Sequence, residues 1–389
     1  MFIVDTMIYS LSQYLLSVEH LDKMARTLDA HSISLLRDDE GRVKCRVGNS
    51  VIIFEVMYKG VHSALRIYMR QHHNLRAIYG EKYLPKELLV CSTATLSGLV
   101  DVVISEWFDG STLQSIIEKY YANSAKMSAL SQMFEEFAIG LLSEPWAHGD
   151  IKPENIILGG DGLHLIDFDA MFRPGFSSDD YVEIGTRQYQ HPQRNKLNFN
   201  KSIDDYPIAL ITTALAAMSL DKRLGKELLH SDNLLITPHL AIEGRDKQLD
   251  YIENLFAEVG DVRHYRIARL LRSPHPSLPQ LKSLLEMSIR HIDGDEEPLL
   301  EYYNGGWGYT LRGEFIIPPY YDIAFDFREG LGLVCIADVW HFIDHKGRVV
   351  IHCGRGSNIK PFRNGVTHIK RDNGAIVKIY RDGRMESVL

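Results

Sequence analysis

Apolar residues near the N-terminus recur at helical spacing. Ile8, Leu11, Leu15, Val18, Leu21 and Met24 fall at i, i+3 and i+4 steps, which predicts one or two amphipathic helices within residues 1–30. The period then changes. RVKCRV, VIIFEV and SALRIYM, between residues 41 and 110, are rich in β-formers and are punctuated by Gly48-Asn49 and Lys59-Gly60, so strands joined by tight turns are expected. Residues 111–290 return to a helical pattern, with short strands around 156–158 and 163–166 flanking Gly159-Gly160-Asp161-Gly162. From about residue 295 the helical periodicity disappears, and runs of four to six β-formers alternate with Gly, Asp and Asn. A sheet followed by helices is an α+β arrangement, here expected as two lobes with an all-β tail.

The tail aligns with itself. WGYTLRGEFIIPPYYDIAFDFREGLGLV (307–334) matches WHFIDHKGRVVIHCGRGSNIKPFRNGVTHI (340–369), and IVKIYRDGRMESV (376–388) begins a third copy. Trp307 to Trp340 is 33 residues and Trp340 to Ile376 is 36. Each copy is an aromatic-led strand, a Gly turn, a second strand, then Phe-x-x-Gly before another strand. Trp307-Gly308, Pro318, Tyr321-Asp322 and Phe327-Arg328-Glu329-Gly330-Leu331 resemble the WG (KWG) repeat family. The second copy departs with His341 after Trp340, and the third has Ile376 in place of Trp. The resemblance implies a repeat-built β module that binds a protein partner or substrate. Residues 291–339 carry a net charge of −8 and residues 340–389 of +6. Such asymmetry can steer a partner or pair the two halves, and solvated faces of mixed sign are the simpler account.

Composition narrows the classes. With 45% hydrophobic and 24% charged residues the chain has ordinary globular usage. A net charge of −8 and a pI near 6.1 argue against a nucleic-acid partner. Cys45, Cys91, Cys335 and Cys353 are far apart, with no Cys-x-x-Cys pair, so neither a zinc site nor a secreted disulfide framework is expected. The first residues lack a basic region and a cleavage site, and the apolar run 207–220, at 14 residues, is shorter than the roughly 20 that span a bilayer. A soluble protein of the reducing cytoplasm, without a membrane partner, is the expectation.

The strongest chemical signal is His148-Gly149-Asp150-Ile151-Lys152-Pro153-Glu154-Asn155-Ile156-Ile157-Leu158. Asp150 and Asn155 are five residues apart, and seventeen residues after Asp150 comes Leu165-Ile166-Asp167-Phe168-Asp169, an acid leaving a short apolar strand. Transfer of a γ-phosphate needs positioning and charge neutralisation more than covalent help. One carboxylate beside the acceptor hydroxyl, with an amide oxygen and a second carboxylate on magnesium, is the set this chemistry asks for, and oxygen ligands suit that hard ion. Asp150, Asn155 and Asp167 supply it in that order, and Lys152 can neutralise the moving phosphate.

Over roughly residues 30–290 the chain resembles the eukaryotic-type protein kinase family. The resemblance implies a bilobal fold, ATP and magnesium as cofactors, Asp150 as catalytic base, Lys152 as the lysine of the Ser/Thr-type loop, and Asn155 and Asp167 as metal ligands. Gly185-Thr186-Arg187-Gln188-Tyr189-Gln190-His191-Pro192 looks like the end of an activation segment, and Asp204-Asp205-Tyr206-Pro207 looks like the entry to the central helix of the large lobe. Ile104-Ser105-Glu106-Trp107-Phe108-Asp109 is similar to the hinge, which implies Glu106 and Phe108 beside adenine. Departures accompany these matches. Ala64-Leu65-Arg66 carries arginine where the nucleotide-clamping lysine is usual, and its carboxylate partner is expected at Glu81, in a helix kept short by Gly80 and Pro85. Gly48-Asn49-Ser50-Val51 has one glycine where three are usual, Gly149 replaces the usual Arg, and Asp169 and Ala170 replace a Gly.

The expected organisation is an N-terminal helical extension (1–29), a kinase-like domain (30–292, with lobes of about 30–105 and 106–292) and a WG-repeat-like module (293–389). Three activities fit these residues: a Ser/Thr protein kinase-like phosphotransferase, a pseudokinase scaffold, and a small-molecule kinase of the aminoglycoside or choline type. For the last, His-Gly-Asp and Ile-Asp-Phe-Asp-Ala fit, whereas Lys152 and the 185–192 stretch do not. His72-His73 is expected on a solvated helix face, Trp107 and Trp146 in the core, and Tyr302-Tyr303 between lobe and repeats.

Overall fold

The computed structural model describes residues 9–93, 96–228, 234–287 and 297–388. They fall into two compact units, Met1–Ser111 with Ile157–Glu183, and Thr112–Ile156 with Ile184–Leu389. The architecture is mixed α+β, with small all-β sheets at the C-terminal end.

The first unit is built on an antiparallel sheet. Its strands are β1 (Ile33–Leu35), β2 (Cys45–Val47), β3 (Val51–Tyr58), β4 (Val61–Tyr68), β5 (Tyr83–Thr93) and β6 (Leu96–Glu106), in the order β1-β3-β4-β6-β5, with β2 also on β3. Lys59 and Gly60 both have positive φ (51° and 78°), the hairpin geometry that matches the twist of the flanking strands. Alternation sorts the two faces. Ile52, Phe54 and Val56 of β3 and Leu65 and Ile67 of β4 are buried on one side, under Tyr14 and Val18 of helix α1 (Leu11–Glu19) and Leu21 of α2 (Leu21–Met24). Burial of each such side chain stabilises by about 1.5–3 kcal/mol. The register Ile53↔Arg66↔Val103 lies on the other side, above the short helix α3 (Leu75–Tyr79), which Gly80 ends with φ 57°. The unit also takes in the turn between β8 (Ile156–Leu158) and β9 (Leu163–Leu165), which follow the two-residue β7 (Ser111–Thr112).

The second unit holds helices α4 (Leu113–Tyr120), α5 (Ser124–Ser143), α6 (Asp205–Leu220), α7 (Lys222–Leu228), α8 (Pro238–Ile242), α9 (Lys247–Val259), α10 (Val262–Leu270) and α11 (Leu281–Leu285). α6 is buried from Asp205 to Met218. With the turn before it, Lys201–Leu220 is 20 residues at a mean hydropathy of 1.2, long and apolar enough to cross a membrane, yet 89% of its apolar window is buried inside the protein.

The tail forms three successive antiparallel sets: β10 (Leu299–Tyr303), β11 (Gly306–Leu311) and β12 (Glu314–Tyr321); then β13 (Ile323–Ala324), β14 (Gly332–Ile336), β15 (Val339–Ile343) and β16 (Val349–Arg355); then β17 (Val366–Lys370), β18 (Ile376–Tyr380) and β19 (Met385–Ser387). Trp307 and Trp340 are the second residues of β11 and β15 and Ile376 is the first of β18, so the repeat seen in the sequence is a repeat of backbone. The Phe-x-x-Gly turns coincide too. Phe327 and Phe362 are buried, Glu329-Gly330 have φ 53° and 80°, and Asn364-Gly365 have φ 55° and 73°. The second turn leans on the first, with the Gly365 amide donating to Glu329 Oε2 at 3.0 Å. Within this unit the repeats are bonded to α9 and α10. Arg266 Nε donates to the Tyr320 carbonyl at 2.8 Å, and His341 Nε2 to that of Ala257 at 2.8 Å. Tyr302 and Tyr303 correct the expectation of lobe packing. They are more than half exposed and face Trp307 and Phe315 of their own module, because β10 is an edge strand.

Candidate functional site

In the second unit, the segment between α5 and β8 is pinned from below. The buried Asp204 carboxylate accepts the amides of His148 at 2.5 Å and Gly149 at 2.8 Å. Burial pushes the Asp204 carboxyl up, and these bonds with nearby His148 and Arg194 offset that. Arg194 Nη1 donates to the Gly149 carbonyl at 2.6 Å. The loop so fixed presents Asp150 with all of its oxygens engaged. Oδ1 accepts the Thr186 amide at 2.5 Å, and Oδ2 accepts Asn155 Nδ2 at 3.0 Å and lies 3.4 Å from Lys152 Nζ. Lys152 Nζ also donates to the Thr186 hydroxyl at 2.9 Å. Asp150, Lys152 and Asn155 therefore share one network. Thr186, which the sequence placed only in a segment motif, is its fourth member.

The first unit brings a different set together around Arg66. Arg66 is 4% exposed, and its Nη1 lies 3.1 Å from Asp167 Oδ1, 3.7 Å from Asp169 Oδ1 and 3.0 Å from the Tyr79 hydroxyl. Tyr68 and Tyr79 each donate to Asp169 Oδ1 at 2.8 Å. Burial alone would lower the Arg66 pKa, but Tyr79 and the two aspartates outweigh it and hold the group well above its usual value. Burial raises both tyrosines, so their hydroxyls keep the protons they donate. Asp167 has left-handed backbone (φ 70°, ψ 67°), which turns its side chain out of the chain direction of β9.

Several expectations are corrected here. Glu81 is not the partner of Arg66: it is exposed on the Gly80–Lys82 turn, and the carboxylates beside Arg66 are Asp167 and Asp169. His72 is buried rather than solvated, with Nε2 2.9 Å from the Asp169 carbonyl, while His73 is exposed. Trp107 is not a core anchor. Half-buried, it stacks on His62 at 5.3 Å, with the Arg46 guanidinium 5.7 Å from its ring centre. Glu106 is exposed and paired with Lys82 at 3.2 Å, and Phe108 stacks on His164 at 4.4 Å. The Gly48–Val51 turn closes on itself, with Gly48 N donating to Val51 O at 2.8 Å. Beside it a cleft of about 840 Å³ is lined by Arg46, Ile53, Glu55 and Trp107 among others.

Among the described residues no group of three or more His, Cys, Asp or Glu could hold a metal ion. The magnesium set expected from the sequence is an amide and a carboxylate, and its donor chemistry fits. Asn155 spends its Nδ2 on Asp150, which leaves its Oδ1 as the remaining acceptor, and Asp167 bonds Arg66 through Oδ1, which leaves Oδ2.

Residues 311–340, from the end of β11 to Trp340, are similar to the WG containing repeat family. No curated protein matches the chain.

Proposed function

We propose that the chain is an ATP- and magnesium-dependent phosphotransferase of protein kinase-like, bilobal type, directed at Ser or Thr hydroxyls, with the repeat module serving a protein partner or substrate. The observation that carries this reading is the network in which Thr186, Lys152 and Asn155 hold the Asp150 carboxylate. A carboxylate held by charge-assisted bonds is pre-organised to orient an acceptor hydroxyl and take its proton. Lys152 offsets charge on the phosphoryl group in transit, and Arg66 does so on the nucleotide phosphates. Asn155 and Asp167 are the residues that would hold magnesium, which when bound neutralises phosphate charge. The antiparallel strand order of the first unit, with Arg66 on β4 between β3 and β6, supports the same reading. A cytoplasmic location is part of the proposal, in keeping with four free cysteines.

A second reading, a pseudokinase scaffold, is favoured by one feature: Arg66 is already ion-paired with Asp167 and Asp169, and the Gly48–Val51 turn is closed. Nucleotide titration with and without magnesium, followed by transfer from labelled ATP, separates the two. Phosphotransfer that Asp150→Asn abolishes, with ATP affinity kept within about twofold, supports the enzyme reading. Turnover undiminished in Asp150→Asn overturns the catalytic assignment. No nucleotide binding selects the scaffold.

A further inference from the structure

Arg66 makes its polar contacts through a single nitrogen. Among the described residues, Tyr79, Asp167 and Asp169 all meet Nη1, Nε is buried without a hydrogen-bond partner, and Nη2 takes part in none of these bonds. The Nε–Nη2 edge is the side of a guanidinium that receives two oxygens of a phosphate or carboxylate in parallel. A buried N–H left without an acceptor is destabilising, so an oxyanion on that edge supplies the bond it lacks.

The geometry also shows what aims the edge. Tyr79 touches Arg66 twice, through its hydroxyl at 3.0 Å and through its ring, whose centre lies 5.9 Å from the guanidinium carbon. The same hydroxyl is tied to Asp169, which Tyr68 holds from the neighbouring strand position. We propose that Tyr79 is a positioning residue for phosphate binding: it stands where a carboxylate partner was expected, fixes Nη1 of Arg66, and leaves Nε and Nη2 to clamp a phosphoryl group of the nucleotide. The proposal rests on the phosphotransfer reading above. It makes arginine a requirement of this site, because a lysine bound to Tyr79 and the aspartates has no second nitrogen to offer.

The test compares ATP with adenosine, which carries no phosphate, by calorimetric titration of the full chain. The parent is expected to bind ATP at least about tenfold more tightly than adenosine. Tyr79→Phe should weaken ATP by about five- to tenfold and leave adenosine within about twofold, and Arg66→Lys should lose at least as much of the discrimination. Tyr68→Phe, which touches Asp169 but not Arg66, should cost less than Tyr79→Phe. A general loosening of the fold would weaken both ligands together and would overturn the proposal. So would a parent that discriminates while Tyr79→Phe keeps the full ATP preference, or one that binds the two ligands alike, and both leave the phosphotransfer reading standing. If Tyr79→Phe does not fold, Arg66→Lys decides alone: retained discrimination overturns the assignment. A parent that binds neither ligand overturns both proposals.

Discussion

The Thr186 amide sits 2.5 Å from Asp150 Oδ1, and the Thr186 hydroxyl takes Lys152 Nζ at 2.9 Å. One residue thus reaches both Asp150 and Lys152, by its backbone and its side chain respectively. The backbone bond survives substitution and the hydroxyl bond does not, so the two contributions can be separated.

Thr186→Val keeps the β-branched shape and the amide but frees Lys152 Nζ from its fixed acceptor. Under the phosphotransfer reading, kcat should fall by about 10- to 100-fold while KM for ATP stays within about twofold, since the lost bond orients catalytic groups rather than nucleotide. Steady-state kinetics on the purified chain measure both. A matching rise in KM with unchanged kcat would instead make Thr186 a binding residue.

Legibility in the sequence followed contact distance along the chain. Lys59-Gly60 and the alternation of β3 and β4 are local, and the hairpin they encode is present, with Tyr58 paired to Val61 across the turn. Asp150, Lys152 and Asn155 lie within six positions, so their spacing already implied one loop. The partner of Arg66 was not local. Asp167 and Asp169 come from a segment about a hundred residues away, and a tyrosine hydroxyl occupies a place where only a carboxylate was sought. His72 was misread for the same reason, since its acceptor is the distant Asp169 carbonyl. The repeats were legible because they recur: the Phe-x-x-Gly turns share backbone geometry, although Ile376 had replaced the leading Trp of the third copy.

Gly308 explains why a small residue follows Trp307. A Cβ at that position would lie 2.6 Å from both the Ile317 carbonyl oxygen and the Pro319 nitrogen, where β12 crowds β11. In the second copy the partner strand has no Pro-Pro pair, His341 pairs with His352, and the imidazole reaches the Ala257 carbonyl instead. Gly308→Ala should therefore destabilise the unit by about 1–3 kcal/mol, read as a drop in the urea midpoint. A change below about 0.5 kcal/mol would mean that β12 moves aside freely.

Two buried histidines of the second unit set opposite pH limits. His264 lies between Asp261, at 2.6 Å, and Glu135, at 2.9 Å. Burial would lower its pKa, but the two carboxylates raise it to about 9 from 6.5. Its contribution is complete below pH 6.5 and is lost as pH rises through 9. His341 is fully buried and donates Nε2 to Ala257, and burial pushes its pKa down to about 4. Its contribution is complete above pH 6.5 and is lost as pH falls through 4. Each limb is worth about 3 kcal/mol. Urea midpoints taken across this range should peak near neutral pH. His264→Gln should flatten the alkaline limb, and His341→Gln should reduce the acid one. Stability that climbs from pH 6.5 to 9 in the parent would show that the imidazolium of His264 is not what Asp261 and Glu135 hold.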